Sequence, residues 1–350
     1  ARRQRQMCIR DRSYRDLGLP KIKIYSLNTG DSYDITPLDE DYDMYVIGET
    51  EWNSNILRYG YSSLGRPHCI FDYDMSQRTQ ILRKQTQVVG AFSESEYITE
   101  RKYATASDNT QVPISLVYRK DTVPSPNTPL YLYGYGSYGI NVESEFSSSR
   151  LSLLDRGFIF AIAHIRGGTN LGRDWDDDGK LLNKRNTFTD FIAAAEHLID
   201  TGYTSHNKLI ASGGSAGGLL VGSVANQRPD LFHAIVAHVP FVDIVNTMLD
   251  DSLPLTTMEY NEWGNPTEEE YFNYIYSYSP YDNVSKQAYP NLLVTGGISD
   301  PRVTYWEPTK WVASLRHNKT DSNIMLLKID MDSGHSGSSG RFKRLTDVCL

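Results

Sequence analysis

Three residues, in one chain order, have the types needed for nucleophilic acyl chemistry. Ser215 lies in Gly213-Gly214-Ser215-Ala216-Gly217, a G-x-S-x-G pattern. A serine hydroxyl is a weak nucleophile until a base takes its proton and a third group orients that base. Downstream, Asp300 stands in Gly296-Gly297-Ile298-Ser299-Asp300, and His335 in Asp332-Ser333-Gly334-His335-Ser336-Gly337. The order Ser, Asp, His is one of those known for such a site, and it accompanies a nucleophile on a strand-to-helix turn. The rival acid Asp332 is only three residues from the histidine, an awkward reach for its Nδ1. The other seven histidines read as structural or solvent-exposed: His197 and His317 on predicted helices, His164 and His238 at strand ends, and His68, His206 and His233 in or beside turns and strands. A Gly-rich turn with no catalytic role is the alternative for residues 213–217, so their context matters.

That context is a predicted strand at 208–212 running into a predicted helix at 216–227. The glycines allow the sharp turn, where side chains at neighbouring positions would collide. The helix start offers free N–H groups and a positive dipole end to a developing oxyanion. Asp300 follows a predicted strand at 292–295, and His335 one at 324–330, with small neighbours that suit a mobile loop. Further strands are expected at 114–118, 130–135, 158–163 and 234–239, and helices at 145–155, 187–200 and 306–317. Buried strands alternating with helices specify a mostly parallel sheet covered on both faces. The expected fold class is therefore α/β, of the α/β-hydrolase kind. Ahead of it, residues 21–86 alternate with period 2 in runs such as 22–27, 34–38, 56–61 and 69–73, separated by turns. This predicts a partial all-β segment with room for one or two propeller blades.

The 350-residue chain is 39% hydrophobic and 22% charged with a net charge of −8, values of an ordinary globular protein without a basic footprint for nucleic acid. Cys8, Cys69 and Cys349 are odd in number and far apart, which argues against a disulfide framework or zinc site and for a reducing, cytoplasmic setting. No run approaches the roughly 18 apolar residues of a membrane span, and no secretory signal is visible. Residues 1–12 are basic with almost no apolar content, and their MCIRDR stretch resembles translated adapter sequence; 348–350 look similar. A foreign or disordered end is thus expected over 1–13, a partial β-propeller over 14–90 and a catalytic domain over 91–350. The chain itself is expected to be a fragment of a longer protein, truncated at its C-terminal end.

Several stretches resemble the prolyl oligopeptidase family of serine peptidases, in its oligopeptidase B branch. They are YGYGSYG at 133–139, IRGGT at 165–169, GGSAGGLL at 213–220, NQRPDL at 226–231, WGNP at 263–266, DPRVTYWEPTKW at 300–311 and GHSGSSGR at 334–341. The resemblance implies a hydrolase domain capped by a seven-bladed propeller that admits only short peptides. Most blades and the family's closing C-terminal helix then fall outside this sequence. It also implies an oxyanion hole from the Ala216 N–H and the Tyr135 hydroxyl, although apart from the resemblance Tyr135 reads first as a packed strand-end aromatic. Arg302 corresponds to an arginine that holds a substrate carbonyl, with a structural salt bridge as the alternative.

Cleavage after Arg or Lys is the activity implied, and physics then demands a carboxylate in the primary pocket, because an unpaired buried guanidinium is costly. Glu259 holds the position of the principal pocket acid. Asn261 stands where a second acid is frequent and brings no charge; Glu262 is the nearest substitute. Glu143 and Glu145 match acids that hold a second basic side chain, and at i, i+2 they face one way only on an extended segment. Solvated loop positions are the alternative for all these acids. The expected partners are short basic peptides, not nucleic acid or membrane, and the chemistry needs no metal or organic cofactor. Prolyl-specific peptidases, acyl-peptide hydrolases and esterases are rivals within the fold; an inert fragment or peptide-binding pseudoenzyme is the rival outside enzymes. Glu259 argues against the apolar pocket that proline requires.

Overall fold

The apolar runs of the second half of the chain become the centre of one large sheet, and the alternating runs of the first half make two small ones. A computed structural model describes residues 9–48, 54–339 and 342. Strands β1 (Ile9–Asp16), β2 (Leu19–Ser26) and β3 (Ser32–Asp34) form a three-stranded antiparallel sheet. Strands β4 (Asp43–Val46), β5 (Ile56–Ser62), β6 (Cys69–Asp74) and β7 (Thr79–Gln85) form a four-stranded antiparallel sheet. Their inward residues, among them Ile22, Ile24, Met44, Leu57 and Phe71, make a core separate from that of the large sheet. The N-terminal all-β segment is therefore present. At its start, residues 9–13, which the sequence led us to expect as foreign or disordered, pair in register with β2 and so are ordered. The rest of that expectation, at 1–8 and 348–350, lies outside the described residues. The strand read at 34–38 is confined to 32–34; Pro37 has no N–H to continue a ladder.

The large sheet has eight strands: β8 (Tyr97–Thr105), β9 (Gln111–Arg119), β10 (Leu130–Tyr133), β11 (Ile159–Ala163), β12 (Leu209–Gly214), β13 (Ala234–His238), β14 (Asn291–Gly297) and β15 (Met325–Asp330). Their spatial order is β15-β14-β13-β12-β10-β11-β9-β8; β15 to β11 run parallel, while β9 and β8 are antiparallel. From β10 the chain goes first to β11 on one side and later to β12 on the other. The ends of β10 and β12 therefore flank a topological switch point, where a crevice opens beyond the carboxyl ends of the strands.

Helices α1 (Ser148–Leu154), α2 (Arg173–Asp177), α3 (Arg185–Asp200), α4 (Ala216–Gln227), α5 (Ile244–Leu249), α6 (Thr256–Trp263), α7 (Glu269–Tyr276) and α8 (Trp306–Asn318) connect or cover these strands. The core joins strand residues such as Leu132, Ile159 and Val294 to Phe188, Phe191, Leu220 and Trp311 of the helices. The fold class is thus the expected α/β-hydrolase arrangement. Helix α1 starts at Ser148 rather than at 145, and β8 and α5 to α7 are elements the sequence pattern did not reveal. Each of those three helices has at most eight residues, too few for an amphipathic repeat to stand out.

Candidate active site

At the end of β12 the backbone bends so sharply that Ser215 adopts φ 57° and ψ −117°. Left-handed φ is costly for a residue with a side chain, and such strain persists only where the surroundings over-determine it. Here they do. A Cβ on Gly213 would lie 2.1 Å from the Gly217 carbonyl oxygen, and one on Gly218 would lie 2.4 Å from Pro240 Cα. The Ser215 N–H donates to the His238 carbonyl at 2.9 Å, and the Ser215 carbonyl accepts from Phe241 at 3.1 Å. The turn therefore aims the hydroxyl outward and leaves the Ala216 N–H heading α4.

His335 reaches that hydroxyl: its Nε2 lies 3.1 Å from Ser215 Oγ, and its Nδ1 lies 2.8 Å from Asp300 Oδ2. Asp332 does not hold the imidazole. The Asp300 and His335 loops are pressed together, since Ser299 N–H donates to the Ser333 carbonyl at 3.2 Å and a Cβ on Gly297 would meet that oxygen at 2.5 Å. Burial alone would raise the Asp300 pKa. The hydrogen bond from His335 and the N–H groups of Arg302 (2.8 Å) and Val303 (3.0 Å) outweigh it and hold the carboxyl below its ordinary value. A carboxylate so held stays ionised and fixes which imidazole nitrogen carries the proton.

Across the switch point stands Tyr135, just beyond β10. Burial, followed by the fields of Tyr133 and Glu259, pushes its pKa up to about 12, so the phenol keeps its proton and can donate it. Tyr135, Ser215, Phe241, Leu255, Glu259 and Arg302 line one cavity of about 290 Å³. Among the described residues Glu259 is the only acid lining it, and Arg302 pairs with no carboxylate. Glu259 Oε2 accepts from the Tyr138 hydroxyl at 2.6 Å and from the Trp263 indole at 2.5 Å. Sequence reasoning passed over both donors, although each lies in a stretch that carried the resemblance. A larger hollow of about 660 Å³ touches His335 from the other side, over Tyr131, Phe160, Val236 and Leu293, and includes neither Ser215 nor Glu259.

Three expected binding residues lie elsewhere. Asn261 is exposed and does not line the cavity, because two residues beyond Glu259 on helix α6 is nearly the opposite face. Glu143 and Glu145 are not on an extended segment: the Glu145 N–H bonds to the Glu143 carbonyl at 2.9 Å, closing a tight turn, and the cavity includes neither. The Glu143 carboxylate is instead clasped by the two terminal guanidinium nitrogens of Arg15. Burial, then Glu143 and Glu145, pushes nearby Asp43 up to about 6. Among the described residues no three His, Cys, Asp or Glu side chains are arranged to hold a metal ion, and no helix is long and apolar enough to cross a membrane.

A serine on a strand-to-helix elbow, hydrogen-bonded to a histidine and a carboxylate at the carboxyl edge of a mostly parallel sheet, defines the α/β-hydrolase class. The prolyl oligopeptidase family model matches residues 144–348, and the chain belongs to that family of serine peptidases. It is 46% identical over 326 residues to Protease 2 of Moraxella lacunata, covering 93% of this chain and 47% of that protein. It is also 46% identical over 315 residues to Dipeptidyl aminopeptidase BI of Pseudoxanthomonas mexicana, covering 89% and 43%. Oligopeptidase B from Leishmania major has the same fold at a TM-score of 0.90 and 45% identity, over 97% of this chain and 49% of that one. The chain thus spans about half the length of these relatives.

Proposed function

We propose that this chain is the catalytic part of a serine oligopeptidase that cuts short peptides after Arg or Lys. The observation that carries the reading is the Ser215–His335–Asp300 hydrogen-bonded chain opening on a cavity whose acid is Glu259. In this reading Ser215 Oγ attacks the peptide carbonyl as His335 Nε2 takes its proton. The tetrahedral oxyanion accepts hydrogen bonds from the Ala216 N–H and the Tyr135 hydroxyl. His335 then protonates the leaving amine, and water, deprotonated by the same imidazole, releases the acid from Ser215. Asp300 holds the tautomer and stabilises the imidazolium. Arg302 holds a substrate carbonyl, and Glu259 Oε1 takes the basic side chain. The domain reading is part of the proposal: blade-like sheets within 14–90 and the hydrolase domain from 91 onward, in a cytoplasmic enzyme.

A direct test compares kcat/KM for blocked fluorogenic peptides ending in Gly-Arg, Arg-Arg and Gly-Pro, with Ser215→Ala as control. Gly-Arg is cut far better than Gly-Pro, and the control is inactive. Because Glu143 is already paired with Arg15, Arg-Arg has little advantage over Gly-Arg. A Glu259→Gln variant loses about 10–100-fold on Arg substrates, the worth of roughly 1.5–3 kcal/mol for a hydrogen bond to a charged group. Preference for Gly-Pro, or no effect of Glu259→Gln, overturns the basic specificity. The equal likeness to a relative named as a dipeptidyl aminopeptidase favours a second reading, removal of N-terminal dipeptides. Cleavage of free but not acetyl-blocked dipeptide amides selects it.

A further inference from the structure

Lys184 is a buried cation beneath the loop that carries Tyr135, with only 1% of its side chain exposed. Its ammonium donates to the Gly136 carbonyl at 2.6 Å and to Ser137 Oγ at 2.7 Å. On its other side it lies 3.6 Å from Glu262 Oε1 and 4.8 Å from the centre of the Trp263 ring. The loop it grips turns through left-handed backbone, at φ 73° and 64° for Gly136 and Gly139, which glycine accepts, and at φ 60° for Tyr138, which is strained. A Cβ on Gly136 would lie 2.4 Å from Thr187 Cγ2, so the loop has no slack there. Glu262 and Trp263 end helix α6, and the Trp263 indole holds Glu259 in the cavity. One ammonium thus touches two walls of the site that are more than 100 residues apart in the chain.

We propose that Lys184 is a positioning residue, which by gripping residues 136–137 on one side and Glu262–Trp263 on the other keeps the Tyr135 hydroxyl and Glu259 correctly placed around Ser215. The inference rests on reading Ser215 as nucleophile and Tyr135 as oxyanion donor. Without the ammonium, the Gly136 carbonyl and Ser137 hydroxyl lose their donor, and buried Glu262 loses its ion-pair partner. Such groups are expensive, and the loop and α6 move to relieve them. Glu262 from α6 and Asp176 from α2 are the charged groups facing Lys184, and both favour its proton. Burial outweighs them and lowers its pKa to about 8, while burial also raises that of Glu262. The ammonium is therefore present below about pH 8 and lost above it, and the grip weakens on the alkaline side.

The test follows the rate at which a fluorophosphonate labels Ser215 in the whole chain. In that reaction the Oγ–P bond forms, the P–F bond breaks and fluoride leaves with the serine proton. It needs the oxyanion donors but no basic peptide. Lys184→Met, folded by its melting curve, slows labelling at least 10-fold and lowers kcat on a Gly-Arg substrate more than it raises KM; a misplaced oxyanion donor has this effect. Lys184→Arg recovers part of the rate and keeps it to higher pH than the wild type, whose labelling falls above about pH 8. A folded Lys184→Met labelled within twofold of wild type overturns the proposal. Where Lys184→Met does not melt cooperatively, Glu262→Gln carries the test: loss of the facing carboxylate moves the alkaline fall to lower pH, and an unmoved fall overturns the proposal. A folded wild type that is never labelled overturns the reading of Ser215 itself, and the positioning role with it.

Discussion

Tyr135 separates two explanations that its sequence left open. A merely packed aromatic loses little on becoming phenylalanine, since the ring stays. An oxyanion donor loses the one atom that matters. Its pKa of about 12 keeps the donor proton in place across the working pH range. We expect Tyr135→Phe to lower kcat by roughly 10²–10³ with little change in KM or melting temperature. Steady-state kinetics with a thermal melt checks this, and an unchanged kcat returns Tyr135 to packing. Ser215, Asp300 and His335 were legible because the motif states its own backbone requirement and the family order names its partners. The clasp of Glu143 by Arg15 was not legible, since nothing local links positions 128 residues apart.

At the scale of elements, the elbow and the Tyr135 loop meet backbone to backbone. A Cβ on Gly217 would lie 2.7 Å from the Gly134 carbonyl oxygen and 3.4 Å from Tyr135 Cα. Neither backbone can yield without shifting Tyr135, the proposed oxyanion donor. Gly217→Ala is therefore expected to cut kcat by at least 10-fold while the protein still melts cooperatively, since misplacing one oxyanion-hole donor alone can cost 10²–10³. Kinetics beside a melting curve tests it; full activity would show that the loop absorbs a methyl group. The long strands and helices of the sheet were legible from periodicity and burial. The short helices α5 to α7 were not, because turns so short depend on what they pack against. Asn261 illustrates the consequence: on a loop it would sit beside Glu259, but on α6 it turns away.

For the molecule as a whole, a buried ion pair stitches the small sheets to the large one. Arg101 on β8 lies 3.3 Å from Asp41, which precedes β4, and both are almost fully buried. Ser144 Oγ also donates to Asp41, at 2.9 Å. Removing one partner of such a pair strands the other charge and costs about 3–5 kcal/mol. Asp41→Ala is expected to lower the melting temperature and to make the segment ahead of β8 the first site of limited proteolysis. An unchanged melt would mean that this ion pair does not join the two parts. The α/β class, the elbow and the order of serine, acid and histidine follow from rules that act within a few residues: glycine where a side chain collides, apolar repeats where a strand is buried. Which charges meet is a different matter. Arg15 with Glu143, Lys184 with Glu262 and Arg101 with Asp41 are chosen by packing between distant segments. A charged side chain takes whatever counter-ion the fold leaves within reach, and only the folded chain defines that reach.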